Sequence, residues 1–563
     1  VTVQDVEVQD VEEPQETVAE LVGRVLADLG LAHVFGVVGS GNFAVTNALV
    51  AAGVPFTAAR HEGGAATMAD AFARTSGRLA AVTTHQGCGL TNAITGIGEA
   101  AKSRTPLLVL TADTAGAAVR SNFRIDTDAL ARSVGAVAER VHSAESAVAD
   151  VTRAVRTAVH DRRTVVLSLP LDVQAQPAPA GAGAVPLRRP AAVRPGAGAV
   201  AELADLLQRA ERPVFVAGRG AREAGPELRA LAERSGALLA TSAVANGLFQ
   251  GEAFSLGISG GFSSPLAAEL LRGADLLVGW GCTLNMWTMR HGALIGPGTT
   301  VVQVDLDDES LGVNRRIDLG VLGDVALTAA DVLTELSDRD VKPVEGYRTP
   351  EVGARIATQV RWVDVETPDT STATTIDPRV LSRELDRRLP SERVVAVDSG
   401  NFMGYPSAYL SVPDENGFCF TQAFQAVGLG LATAIGAALA RPDRLPVLGT
   451  GDGGLLMAAS ELETLVRLGI GMLVVCYDDA AYGAEVHHFG PAGNDVSTVR
   501  FPETDLAAIG RGFGAQGAVV RSVADLAAVD EWLAGPRDVP FVLDAKISDD
   551  GGSWWLAEAF RGH

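Results

Sequence analysis

Short runs of apolar, largely β-branched residues recur along the chain, separated by longer segments of helical period. In the first third they are HVFGVVG, LAAVTTH, LLVLTAD and TVVLSLP; in the middle, PVFVAG, ADLLVGWG and TVVQVDLD; in the last, VVAVD, LPVLGTG, GMLVVCYDD and PFVLDAKI. Consecutive apolar positions suit strands buried on both faces, and segments such as GGAATMADAFARTSG and ELRALAERSG suit the helices that cover them. The alternation predicts an α/β protein of three doubly wound parallel-sheet domains in series, the first and third being two versions of one design. Two stretches without sustained apolar period, Ala175 to Val200 and residues 342–375, read as linkers. They divide the chain into domains at 16–180, 190–345 and 375–563, each of ordinary size, after an acidic tail at 1–15 expected to be disordered.

Composition narrows the setting. The 563 residues are too many for one core, and 47% hydrophobic with 20% charged residues is ordinary for a globular protein. A formal net charge of -22 argues against nucleic-acid and anionic-membrane partners, which need a basic face. The four cysteines, Cys88, Cys282, Cys419 and Cys476, form no CxxC pair and fit a reducing compartment. No apolar run is long enough to span a bilayer, and the first residues lack the basic start and apolar stretch of a signal peptide. A cytoplasmic location is expected.

The segment GTGDGG, Gly449 to Gly454, lies between an apolar run and a helical pattern. A glycine turn in that place suits a phosphate, because backbone N–H groups converge there. Asp452 in its middle would repel one unless a divalent cation sits between; Mg²⁺ commonly joins carboxylates to phosphate oxygens. The next strand ends in Asp478-Asp479-Ala480-Ala481-Tyr482-Gly483, and neighbouring strand ends in a parallel sheet share one edge. The plain alternative for Asp478-Asp479 is a turn pair.

GDG followed about 25 residues later by an acidic or amide pair resembles the thiamine diphosphate fingerprint of the pyruvate decarboxylase, benzoylformate decarboxylase, acetolactate synthase and pyruvate oxidase group. Four further segments resemble that family in the same order: RHEGGAATMADAFARTSG, GCGLTNAITGIGEA, VVLSLPLDV and FQAVGLGLATAIGAALA. The resemblance implies that Asp452, Asp479 and the Ala481 carbonyl ligate Mg²⁺, which holds the diphosphate. Where the family usually has Asn-Asn this chain has Asp478-Asp479, adding a negative charge. Glu62 would hydrogen-bond the aminopyrimidine and promote proton loss at the thiazolium C2, and is expected to be buried with a raised pKa. A glutamate complementing a helix dipole is the plain alternative. Val427 matches the apolar wedge that bends the cofactor, core packing being its alternative. By position, Asn92, Gly400, Asn401, Gly451, Gly453, Gly454, Tyr482 and Gly483 complete the cofactor contacts. The family builds its site from two subunits, so a homodimer or homotetramer is implied.

The family's shared chemistry is loss of CO₂ from a 2-oxo acid through an ylid and an enamine, ending in an aldehyde or a carboligation product. Ser40 and His85 fall where benzoylformate decarboxylase has a substrate serine and a proton-transferring histidine. Glu485 falls where pyruvate decarboxylase has a catalytic glutamate, and His488 lies about one helical turn beyond it. Proton donors at His85 and Glu485 favour a decarboxylase, or a carboligase with an unusual acceptor, over acetolactate-synthase chemistry. Arg124, in Asn122-Phe123-Arg124, could hold a substrate carboxylate. The plain readings are a helix cap for Ser40, a structural histidine for His85 and a solvated helix face for Glu485, His487 and His488. Trp554 and Trp555 belong either to a C-terminal helix closing over the site or to simple aromatic packing. A nicotinamide site at GSGNFA lacks the following acidic residue that the ribose needs. FAD in the middle block is not expected, since CTLNMW does not resemble the family's flavin-binding run. A catalytically inert interaction protein on the same fold remains the alternative of another class.

Overall fold

The computed structural model describes residues 15–188 and 190–556. The predicted tail therefore lies almost wholly outside the described residues. Among the described residues, eighteen strands form three six-stranded, all-parallel sheets. The first holds β1 (His33–Gly36), β2 (Phe56–Ala58), β3 (Ala80–Thr84), β4 (Leu107–Asp113), β5 (Val137–Arg140) and β6 (Thr164–Pro170), in the order β2-β1-β3-β4-β6-β5. The second holds β7 (Pro213–Ala217), β8 (Leu238–Thr241), β9 (Ser255–Ile258), β10 (Leu276–Trp280), β11 (Thr300–Asp305) and β12 (Leu319–Leu322), in the order β12-β11-β10-β7-β8-β9. The third holds β13 (Arg393–Val397), β14 (Phe418–Phe420), β15 (Leu445–Gly451), β16 (Leu473–Asp478), β17 (Gln516–Val520) and β18 (Phe541–Lys546), in the order β14-β13-β15-β16-β18-β17. Sheets one and three thus share a single strand order, as their matching apolar rhythm predicted.

The central strands β4, β6, β15, β16 and β18 are buried along their whole length. Burial on both faces explains why they read as continuous apolar runs. In sheet two the alternation is explicit: Phe215 and Val278 enter one core, while Val214, Val216 and Leu277 enter the core on the opposite face.

The chain divides into two compact units, one of residues 15–73 with 77–188, the other of 74–76 with 190–556. Sheet one lies in the first; sheets two and three lie in the second. The stretch 175–196 carries no helix or strand among its described residues beyond one bridge, Thr17 to Pro177. The second expected linker needs correction, because residues 342–375 contain the helix Pro350–Gln359. Thr349 caps it through the Val352 N–H, Pro350 starts it, and only Ile356 is fully buried. One anchoring residue is too little apolar period to reveal a helix that its cap and proline define.

Candidate active site

In the second unit, polar groups gather at the carboxyl ends of β13, β15 and β16, where ligands bind in parallel sheets. Strand β15 runs directly into the helix Asp452–Met457, leaving Asp452 at its first position, 9% exposed. Strand β16 ends at Asp478, and Ala480 turns the chain with a φ of 50°. A bridge to the segment after it fixes this turn: Phe501 N–H donates to the Ala480 carbonyl at 2.8 Å and Tyr482 N–H to the Val499 carbonyl at 2.9 Å. Neither bond uses the Ala481 carbonyl.

Burial, then the neighbouring charges of Asp452 and Asp478, push Asp479 up to about 8. Burial, then Asp478, pushes Asp452 up to about 6. Carboxylates held together in this way raise one another's pKa, and a cation beside them lowers it. Asp478 has one. Lys546, beside it in the β16–β18 register, donates to Asp478 and lies 3.0 Å from Asp544 Oδ2. Burial works against the Lys546 ammonium, yet the bonds to Asp478 and Asp544 hold its pKa above the usual lysine value.

Glycines line this edge where an added side chain would crowd its neighbours. A Cβ at Gly483 would collide with Asp479 Oδ2, and one at Gly454 with Asp398 Oδ2. A Cβ at Gly453 would come 3.1 Å from the Tyr482 ring, and one at Gly451 3.1 Å from Phe402. Asp398, at the end of β13, accepts the Gly428 N–H at 3.0 Å and the Thr450 hydroxyl at 3.3 Å. Burial pushes its carboxyl up to about 6. Sequence reasoning passed over Asp398, although an acid ending an apolar run was the available signal. Val427, one residue before Gly428, is 45% exposed, which excludes core packing within the chain. Gly400 precedes buried Asn401, whose Oδ1 accepts the Ser553 N–H at 3.3 Å. Trp554 donates to the Gly261 carbonyl at 3.0 Å, and Trp555 packs against Phe262. Both tryptophans therefore do structural packing, and the expected closing helix falls largely outside the described residues. In the helix Gly483–Phe489, Glu485 is half-buried. His488 is exposed and stacks edge-on with Phe489, while His487 packs against Gly552 and approaches Asp549 at 3.8 Å.

The first unit gathers its own group at the carboxyl ends of β1 to β4. Glu62 opens the helix Glu62–Ser76 after its His61 cap, and Asn92 Nδ2 donates to Glu62 Oε2 at 3.1 Å. The carboxylate is partly exposed, not buried as expected, because Glu62 is the first residue of its helix, where the side chain is not enclosed by the helix's own buried face. A Cβ at Gly89 would come 3.4 Å from Glu62 Oε1 and 3.3 Å from His85 Cβ, so both side chains flank that glycine. Gly41 N–H donates to His85 Nδ1 at 3.2 Å, which leaves Nε2 to carry the proton in the neutral ring. Phe123 packs edge-on against His85 with centroids 5.1 Å apart, bringing the loop of exposed Arg124 beside it. Ser40 is exposed in the preceding turn and is not the cap. Asn42 holds that position, its Oδ1 accepting the Gly39 N–H at 2.8 Å.

In the middle sheet, the amides of the turn after β7 are engaged: Gly218 donates to Trp280 at 2.8 Å and Gly220 to Gly281 at 3.1 Å. No helix among the described residues is long and apolar enough to cross a membrane.

Comparison with known proteins places this geometry. Residues 16–131 match the thiamine pyrophosphate enzyme N-terminal TPP binding domain, 200–336 its central domain, and 398–545 its C-terminal TPP binding domain. A sulfoacetaldehyde acetyltransferase of Rhodobacter capsulatus is 29% identical over 97% of this chain and 96% of its own length. A putative acetolactate synthase large subunit of Mycobacterium tuberculosis is 29% identical, covering 88% of this chain and 92% of its own. A probable 2-ketoarginine decarboxylase of Pseudomonas aeruginosa is 28% identical, covering 89% of each. With three successive domains matched in order, the chain belongs to the thiamine pyrophosphate enzyme family.

Proposed function

We propose that the chain uses thiamine diphosphate and Mg²⁺ to decarboxylate a 2-oxo acid, releasing an aldehyde or passing the fragment to an acceptor. The observation that carries this reading is the pairing of buried Asp452 with half-buried Asp479 beside glycines where an added Cβ would crowd Asp479, Asp398, Tyr482 and Phe402. Oxygen donors with uncompensated charge fit a hard divalent cation, and bare glycine backbone fits a diphosphate. Asp452, Asp479 and the Ala481 carbonyl would hold Mg²⁺. Gly451, Gly453, Gly454 and Gly483 would let the diphosphate approach, with Asn92, Gly400, Asn401 and Tyr482 around the cofactor and exposed Val427 against it. Bound thiamine diphosphate supplies the carbon that accepts the electron pair released with CO₂.

The chain's own residues would manage protons and position. The Glu62 carboxylate would carry a proton to and from the aminopyrimidine. His85 would donate from Nε2, its ring held by Gly41 and Phe123. Glu485 would be a second donor, and the Arg124 guanidinium would orient a substrate carboxylate, with Ser40 nearby on the β1 turn. His488, exposed, would act only on a substrate group reaching past Phe489. No flavin is included, because CTLNMW, residues 282–287, does not resemble the family's flavin-binding run.

The test is product analysis: purified protein with thiamine diphosphate, Mg²⁺ and a panel of 2-oxo acids, following CO₂ and identifying products by NMR. An aldehyde or hydroxyketone formed with CO₂ supports the proposal; no CO₂ from any member of the panel overturns it. Similarity to the Rhodobacter capsulatus protein over 97% of the chain favours a second reading, acetyl transfer with sulfoacetaldehyde as substrate, in which the C–S bond breaks, sulfite leaves and the acetyl group passes to a nucleophilic acceptor. Release of sulfite together with an acetylated acceptor, without CO₂, would establish it.

A further inference from the structure

The pair Asp478-Asp479 sets two carboxylates side by side where a metal and a diphosphate are proposed to bind. One of those charges has to be met by the protein. We propose that Lys546 is the positioning residue that neutralises Asp478 and turns it into the sheet, so that Asp479 alone of the pair is presented to the metal. The inference rests on the cofactor reading above and extends it to a residue on another strand.

The geometry is specific. Lys546 on β18 and Asp478 on β16 are register partners, with side chains 6% and 2% exposed. The ammonium meets three oxygen acceptors: Asp478 Oδ2, Asp544 Oδ2 at 3.0 Å and the Thr504 carbonyl at 2.6 Å. Three donors are thereby used. The other oxygen of Asp478 accepts the Ala480 N–H at 2.9 Å, which ties it to the turn carrying Asp479. Both Asp478 oxygens are thus engaged by protein donors, while Asp479 Oδ2 lies against Gly483. The remaining charges near the ammonium are Asp544, whose Oδ2 also accepts the Leu506 N–H at 2.9 Å, and Glu503 at 4.0 Å, itself paired with Arg521. An asparagine at 478 would need no cation. An aspartate without one would add a negative charge beside Asp452 and Asp479, and so oppose a diphosphate.

The experiment uses the full chain as Lys546→Met, Asp478→Asn and the double variant. Thiamine diphosphate is titrated at saturating Mg²⁺ by calorimetry, and each cofactor-free protein is melted in parallel. Lys546→Met is expected to weaken binding by about tenfold or more, since it strands a buried charge. The double variant, neutral at both positions, is expected to bind within about threefold of wild type, the signature of coupled residues. Rescue separates charge compensation from a merely structural lysine, whose loss a second substitution would not repair. Should Lys546→Met fail to fold, the folded double variant decides the matter by its binding alone. Wild-type affinity in Lys546→Met, or a double variant that stays weak, overturns the inference while leaving the cofactor reading intact. A wild-type protein that takes up no cofactor overturns both.

Discussion

Glu62 is the residue on which the proposed proton chemistry turns, and its setting makes the test clean. Its carboxylate is partly exposed at the start of a helix and bonds Asn92. Glu62→Ala should therefore lower turnover by about 10²–10⁴-fold, the range for a lost proton-transfer group, with an unchanged melting temperature. Retained turnover would remove it from the chemistry. His33 offers a separate pH test. Its ring lies against Phe35 and Phe72, Nε2 meets Thr57 Oγ1 at 2.8 Å, and burial, then the charge of Arg78, lowers its pKa to about 4. Between that value and about 6.5 the unfolded chain binds more protons, so stability is complete above the window and is lost as pH falls through it. Allowing for partial exposure, the loss should be about 1–2 kcal/mol. Melting at pH 7.5 and pH 5 should show a smaller drop for His33→Gln than for wild type. Residue types were legible in the sequence, but their environments were not. Burial of Glu62 depends on what packs against the start of its helix. The packing of His487, and not His488, depends on the loop at Gly552, more than sixty positions away.

At the scale of elements, the glycine turns are where backbone and carboxylates meet most tightly. Gly483 begins a helix directly over Asp479, and an added Cβ would displace that carboxylate. Gly483→Ala should weaken Mg²⁺-dependent cofactor binding by about tenfold, as misplacement of one donor does, while helix propensity improves. Gly512→Ala is the matched control, since a Cβ there meets nothing. Equal binding by the two variants would show that the carboxylate relocates freely. The strands and long helices were readable from apolar rhythm because both sheet faces are buried. The helix Pro350–Gln359 was not, having one fully buried residue. Lys546 was also hidden: 68 positions separate it from Asp478, and only the pairing of β16 with β18 joins them.

For the whole molecule, the shared strand order of sheets one and three has a functional reading. Each carries polar groups at the carboxyl edge of its own sheet: Glu62, Asn92 and His85 on one, Asp452 and Asp479 on the other. The resemblance of the sequence to its family implies that these groups, as two halves of one site, come together between two copies of the chain. This can be decided without a structure of the assembly. Glu62→Ala lacks the first half and Asp452→Ala the second, so each variant alone should be inactive. Mixed and allowed to exchange subunits, they form hybrids. If halves are shared between chains, each hybrid dimer has one site with both defects and one with neither. Random reassortment makes half the dimers hybrids, so activity should recover to about a quarter of wild type. If both halves of a site belong to one chain, every site in the mixture stays defective and no activity returns. Mixed proteins that remain inactive after demonstrated exchange would therefore place the complete site within a single copy.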